Sequence, residues 1–129
     1  MALDLGARRT GVAVSDPTGA LATPLEVLEP GSRKRLLEAV ERLAREHRVE
    51  RLVVGHPRQM DGSRGGEARR AEAFADALRD RTELPVVLWD ERLTTVQAGR
   101  MTESRRGRKL LDSAAAALIL QEYLDAQPR

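Results

Sequence analysis

The chain has 129 residues, 41% of them hydrophobic and 33% charged, which suits one packed domain over residues 1–129 and excludes a disordered chain. It has no cysteine, so disulfide frameworks, thiolate zinc sites and cysteine nucleophiles are excluded, and Phe74, Trp89 and Tyr123 are too few aromatics for a base-stacking platform. Net charge is only +2, but all the basic side chains except Lys34 and Lys109 are arginine, which fits either bidentate contact with nucleic-acid phosphates or an arginine-rich solvated surface.

Met1-Ala2-Leu3-Asp4 lacks the charged and long apolar regions of a signal peptide, so a cytoplasmic protein is expected. Ala2 to Leu5 reads as the end of a strand broken by Gly6. A turn with Arg8 and Arg9 follows, then a strand over Gly11 to Ser15. Asp16-Pro17-Thr18-Gly19 has the residues of a type I turn, and a third strand is expected over Ala22 to Leu28. The short connections make these three strands antiparallel neighbours.

Ser32 can cap a helix running to about His47, whose Leu36, Leu37, Val40, Leu43 and Ala44 recur at helical spacing. At the end of that helix, His47 is placed to interact with its dipole. Leu52 to Gly55 is a buried strand ended by His56-Pro57, and 60–66 an irregular loop. Ala68, Ala71, Phe74, Ala75 and Leu78 predict a helix from about Glu67 to Asp80. Pro85 can open a strand, and Val86 to Trp89 suit one buried on both faces. Thr94 with Gln97 fits a capping box for a short helix from about Thr95 to Met101. A basic stretch, Arg105 to Lys109, then precedes a last helix reaching about Asp125. The longest apolar run, Ala114 to Leu120, is too short to span a bilayer. A meander joined to βα units implies a mixed α/β sheet with helices on its faces.

Three acidic positions stand out. Asp4 lies near a strand end in D-x-G, where Gly6 would let a phosphate or metal approach the backbone; a turn aspartate fits as well. Asp90 and Glu91 end an apolar strand, where ligands gather in open α/β sheets. Asp112 shares a helical face with Ala115, Ala116, Ile119, Leu120 and Tyr123, which aims it at the sheet beside a cation; a first-turn helix cap is the alternative. Separated carboxylates with no cysteine and little histidine suit Mg²⁺ or Mn²⁺ better than zinc, and such cations support phosphodiester hydrolysis.

Asp4-Leu5-Gly6 with Gly11 to Pro17, Val53-Val54-Gly55-x-Pro57 with Met60-Asp61-Gly62, Asp90-Glu91-Arg92-Leu93-Thr94-Thr95, and Asp112-x-x-Ala115-Ala116 with Leu120-Gln121-x-Tyr123-Leu124 follow one another in the order of the YqgF-type family. The chain resembles that family over essentially its whole length. The resemblance implies an RNase H-like fold with strand order 3-2-1-4-5 and a single nuclease domain over 1–129. It also implies a metal-dependent nuclease for pre-16S ribosomal RNA or, alternatively, for four-way DNA junctions. By resemblance Asp4, Glu91 and Asp112 map onto the acidic metal-binding set. Three departures are the short first strand, His56 where an aliphatic residue is usual, and Gln59 where asparagine is usual.

Arg8, Arg9, Arg58, Arg64, Arg92, Arg105, Arg106, Arg108 and Lys109 flank the acidic positions and together read as a phosphate-binding rim. The expected partner is structured RNA or branched DNA, with no membrane, and a monomer or homodimer. In the implied strand order His56 falls at the rim of the acidic site, and Glu91 rather than Asp90 faces Asp4, because neighbouring strand residues point opposite ways. Rival readings are a phosphate-binding ATPase or sugar-kinase-like module, which generally needs two such domains, and a nucleic-acid-binding protein without catalysis.

Overall fold

The computed structural model describes residues 1–57, 65–91 and 105–128, with the backbone alone over 105–112. Five strands, β1 (Ala2–Leu5), β2 (Thr10–Ser15), β3 (Ala22–Leu28), β4 (Leu52–His56) and β5 (Val86–Asp90), form one sheet in the order β3-β2-β1-β4-β5. The first three pair antiparallel; β4 and β5 add in parallel to β1. This is the mixed order expected.

Local chemistry accounts for the connections. Gly6 donates its N–H to the Arg9 carbonyl at 2.8 Å, and a Cβ on Gly6 would stand 2.6 Å from that oxygen. The turn therefore needs a glycine here, because any side chain would strike the Arg9 carbonyl. Between β2 and β3, Asp16 accepts from the amides of Ala20 and Leu21 at 2.9 and 3.1 Å and from the Thr18 hydroxyl at 2.7 Å. Gly19 supplies the positive φ of 71° that closes the turn. β5 opens after Pro85, whose carbonyl accepts from Leu52 at 2.9 Å.

Side-chain alternation sorts the strands onto two covered faces. Leu3, Val12, Leu52, Val54 and Val86 pack against helices α1 (Arg33–Glu46) and α2 (Gly66–Arg81), through Leu37, Val40, Phe74 and Leu78 among others. Ala2, Ala13 and Val53 pack against helix α3 (Arg105–Ala126), through Ala115, Ala116, Ile119, Leu120 and Tyr123. Ser32 caps α1 as expected, accepting from Arg35 N at 3.2 Å, and His47 is its C-cap residue.

Helix α3 begins at Arg105, so the basic stretch forms its first turns instead of preceding it. Arginine and lysine are good helix formers, and the single Gly107 costs only about 1 kcal/mol against a helix anchored by a long buried stripe. The other end of α3 is tied down: Gln121 accepts from Ala22 N at 3.0 Å and donates to Ala20 O at 2.9 Å. Tyr123 accepts a hydrogen bond from Arg51 and meets Trp89 edge-on at 5.6 Å. The expected Thr95–Met101 helix and its Thr94–Gln97 box, like Gln59, lie outside the described residues. Among the described residues no helix is long and apolar enough to cross a membrane.

Two leucines two positions apart on α3 test this layer arrangement. Leu120 is 2% exposed and Leu118 is 44% exposed. Leu120→Ala should cost about 2–5 kcal/mol and Leu118→Ala no more than about 0.5 kcal/mol. Urea midpoints at unchanged m-values measure both; equal losses would contradict the packing of α3 on the sheet.

Candidate active site

The parallel strands β1, β4 and β5 end at one edge of the sheet, and the acidic residues gather there. Asp4, 3% exposed, is the next-to-last residue of β1 and pairs with Gly11 of β2. It points to the α3 face, in phase with Ala2. The Leu3–Val54 pair sets the parallel register, which one step on brings Asp4 beside Gly55.

Glu91 follows β5 directly and is 2% exposed. A Cβ on Gly55 would stand 3.0 Å from Glu91 Oε2 and 2.9 Å from Ile119 Cδ1. The Glu91 carboxylate thus lies across β4 on the α3 face, in the gap that Gly55 leaves. Asp4 and Glu91 belong to strands two places apart, about 9–10 Å at ordinary spacing, and the bare glycine between them lets the longer side chain reach inward. Gly55 was legible only as a strand end; its signal is a glycine closing an apolar strand in register with the strand that carries a glutamate.

Burial pushes the Glu91 carboxyl up to about 7, and the nearby carboxylates of Glu67 and Asp90 push in the same direction. Glu67, in the first turn of α2, was not singled out from the sequence, where it resembles any acid at a helix start. Asp90 pairs in register with His56, and both stand in phase with Val54 and Leu88 on the α1/α2 face. There His56 Nε2 lies 2.6 Å from Glu72 Oε2 of α2. His56 therefore ends the expected strand but lies on the face opposite Asp4 and Glu91, not at the rim of their site. The cause is the period of two: one residue beyond Gly55 is the other side of the sheet.

Asp112 is the eighth residue of α3, too far inside the helix to cap it. Its backbone position shares the face of Ala115, Ala116 and Ile119, and its side chain lies outside the described residues. Arg8 and Arg9 occupy the β1–β2 turn beside Asp4, and Arg8 is exposed. Arg105, Arg106, Arg108 and Lys109 are placed in the first turns of α3, which has no acid in its first turn; their side chains, and the whole of Arg58, Arg64 and Arg92, lie outside the described residues.

Asp4 and Glu91 offer only carboxylate oxygens, the donor set of a hard divalent cation. Among the described residues no group of three or more histidine, cysteine, aspartate or glutamate side chains could hold a metal ion; the pair supplies two donors of such a set. A buried glutamate crowded by like charges fits a place next to a cation, whose charge would offset both burial and repulsion.

Comparison with known proteins identifies the family and the fold. Residues 1–126 match the model of the family described as RuvX: Holliday junction resolvase. A protein of Pelotomaculum thermopropionicum named "Putative pre-16S rRNA nuclease" is 44% identical over all of this chain and 88% of its own length. One of Roseiflexus sp. with the same name is 45% identical over 98% of this chain and 94% of its own. The RuvC structure of Thermus thermophilus aligns with a TM-score of 0.56 at 17% identity, covering 96% of this chain and 92% of RuvC. RuvC in complex with a Holliday junction substrate aligns at 0.54. At that identity the likeness is one of fold, the RNase H-like fold.

The raised Glu91 pKa has a stability consequence. Between its ordinary value of 4.5 and about 7, the folded protein holds a proton that the unfolded chain has released. Folding stability in chelating buffer should therefore fall as pH rises through this window, by an amount on the order of 3 kcal/mol, and level off above it. Glu91→Gln should remove that fall and leave the variant more stable than the parent at pH 8. Parallel thermal melts from pH 4.5 to 8 decide it; parent and variant losing stability alike would mean that Glu91 is not held in this environment.

Proposed function

This chain belongs to the RuvX family of Holliday junction resolvases, and from that premise we propose that it is a metal-dependent endonuclease hydrolysing phosphodiester bonds, acting in 5′ maturation of pre-16S ribosomal RNA. The observation that carries the chemistry is the buried Glu91 carboxylate, lodged over Gly55 on the same sheet face as Asp4. The names of the 44–45% identical relatives support the ribosomal substrate. The family's own description favours a second reading, cleavage of four-way DNA.

Asp4, Glu91 and Asp112 would hold Mg²⁺ or Mn²⁺. When bound, such a cation activates water and stabilises charge on the phosphoryl oxygens. The chain's own contribution is placement. Gly55 admits the Glu91 carboxylate, Ile119 of α3 packs over the same glycine, and burial keeps water from screening the carboxylate. With its carboxyl raised to about 7, Glu91 would hold a cation in its deprotonated form. Arg8 and Arg9, with the further arginines of the rim, hold the substrate backbone by its phosphates. Residues 1–129 form a single nuclease domain, cytoplasmic, working as a monomer or homodimer.

Cleavage should vanish when Asp4 or Asp112 is changed to Asn, or Glu91 to Gln, while each variant stays folded. The assay sets an unprocessed 16S precursor fragment beside a four-way DNA junction, with Mg²⁺ or Mn²⁺ added or withheld. Full activity in all three variants would sink the acidic site, and cleavage of the junction alone would select the second reading.

Gly55→Ala gives a finer check. The three atoms it would crowd, Ile119 Cδ1 and Glu91 Oε2 and Cδ, belong to side-chain ends, so the stability loss should stay at about 1 kcal/mol. Displacing Glu91 should nonetheless lower cleavage at least tenfold, because placements off by about 1 Å can cost about 100-fold. An unchanged rate at matched folding would show that Glu91 does not need its seat over β4.

A further inference from the structure

On the α1/α2 side of the β1–β2 turn, a groove of about 1210 Å³ is lined by residues that include Leu5, Gly6, Phe74 and the arginines Arg8, Arg9, Arg33 and Arg70. Among the described residues Glu29 is the one carboxylate on this lining, beside those four arginines. Cavities for small ligands run to about 300–1,000 Å³, so both its size and its charge suit a length of polyanion better than a single small molecule.

The groove begins one residue from Asp4, because Leu5 and Gly6 form its wall. Three elements converge on it. Arg8 and Arg9 come from the β1–β2 turn, Arg33 opens α1, and Arg70 lies near the start of α2. Arg33 Nη2 donates to the Ala73 carbonyl of α2 at 2.8 Å, which steadies a guanidinium that has five N–H donors in all. Arg8, Arg33 and Arg70 are exposed.

The first turn of α1 is Arg33-Lys34-Arg35 with no acid. Three cations at the positive end of a helix dipole disfavour the bare fold, and an anion in front of them reverses the effect. Phe74 is buried, so no aromatic face is offered to a base. The chemistry on offer is that of arginine toward phosphate.

We propose that this groove holds the phosphodiester backbone of the single strand that continues from the acidic site, so that substrate crosses the β1–β2 turn from the α3 face of the sheet to the α1/α2 face. The assignment rests on the nuclease reading for the acidic end of the path. Bending a duplex by about 40–90° within roughly 20–30 base pairs costs elastic energy, a cost that a single strand turning over one short connection does not carry. Arg33 and Arg70 thereby join the nucleic-acid contacts, on the face of the sheet away from the carboxylates.

The test is fluorescence anisotropy of the whole protein with labelled single-stranded RNA and DNA oligonucleotides of one sequence, in chelator, from 50 to 200 mM salt. Each lost phosphate contact lowers the slope of log affinity against log salt by about 0.7. Arg70→Ala should show one such step, Arg33→Ala with Arg70→Ala about 1.4, and affinity at 50 mM salt should fall on the order of tenfold in the double variant. Arg33→Lys, which keeps the charge, should keep the slope. Should the double variant fail to fold, Arg70→Glu, altering one exposed side chain, should weaken binding beyond Arg70→Ala. Losses with both RNA and DNA support a phosphate track, and losses with one alone name the strand it takes. Folded Arg70→Ala and Arg70→Glu proteins that bind like the parent at every salt concentration overturn the groove. The two readings separate cleanly: a parent that cleaves while these variants bind normally removes the groove alone. A parent that binds with the expected slopes but never cleaves removes the nuclease and leaves the groove.

Discussion

Strand alternation beneath cover on both faces is the constraint on which this protein depends. β4 lies between β1 and β5, and its residues decide what each face carries at the functional edge. Val53 and Gly55 look toward α3 together with Ala2 and Asp4; Val54 and His56 look toward α1 and α2 together with Leu3. A slip of one residue in any of these strands would exchange carboxylate for core. The acidic site is therefore specified by the same burial that holds the sheet together.

The two edges of the sheet divide the work. At the edge away from the carboxylates the contacts stabilise: the Asp16 turn, the Gln121 bonds to the start of β3, and Tyr123 with Arg51. At the functional edge several features oppose folding. Glu91 is buried near Glu67 and Asp90, and both α1 and α3 begin with cations and no acid, the wrong sign for a helix N-terminus. A cation among the carboxylates and phosphates before the arginines would relieve both. Stability given up where ligands bind, and recovered at the far edge, is the pattern expected of a site whose charges are arranged for a partner rather than for the bare chain.

Much of the fold was legible in the residues. Turn chemistry at Asp16 to Gly19, the Ser32 cap, the apolar stripes of α1 and α2 and the Pro85 strand opening lie within a few positions of the structure they specify. The order 3-2-1-4-5 came from resemblance and is the order observed. The misplaced features share a different origin. At Gly6 the Arg9 carbonyl stands where a Cβ would, so the turn itself needs glycine, and the gap that admits the Glu91 carboxylate is at Gly55. His56 was placed by its strand end and not by its face. The start of α3 was obscured by Gly107 and a run of charge, which hid that Asp112 lies well inside a helix.

The sequence by itself determined which segments become strands and helices, which residues are buried along each, and which carboxylates end up near strand termini, because propensity and periodicity act over a few residues. Only the tertiary structure decided which groups face one another. Asp4, Gly55, Glu91 and Ile119 are brought together from four separate elements, as are Arg8, Arg33 and Arg70 from three. Their meeting depends on strand register and helix docking between segments tens of residues apart. Those are set by how two whole faces pack, a property no local stretch of the chain carries.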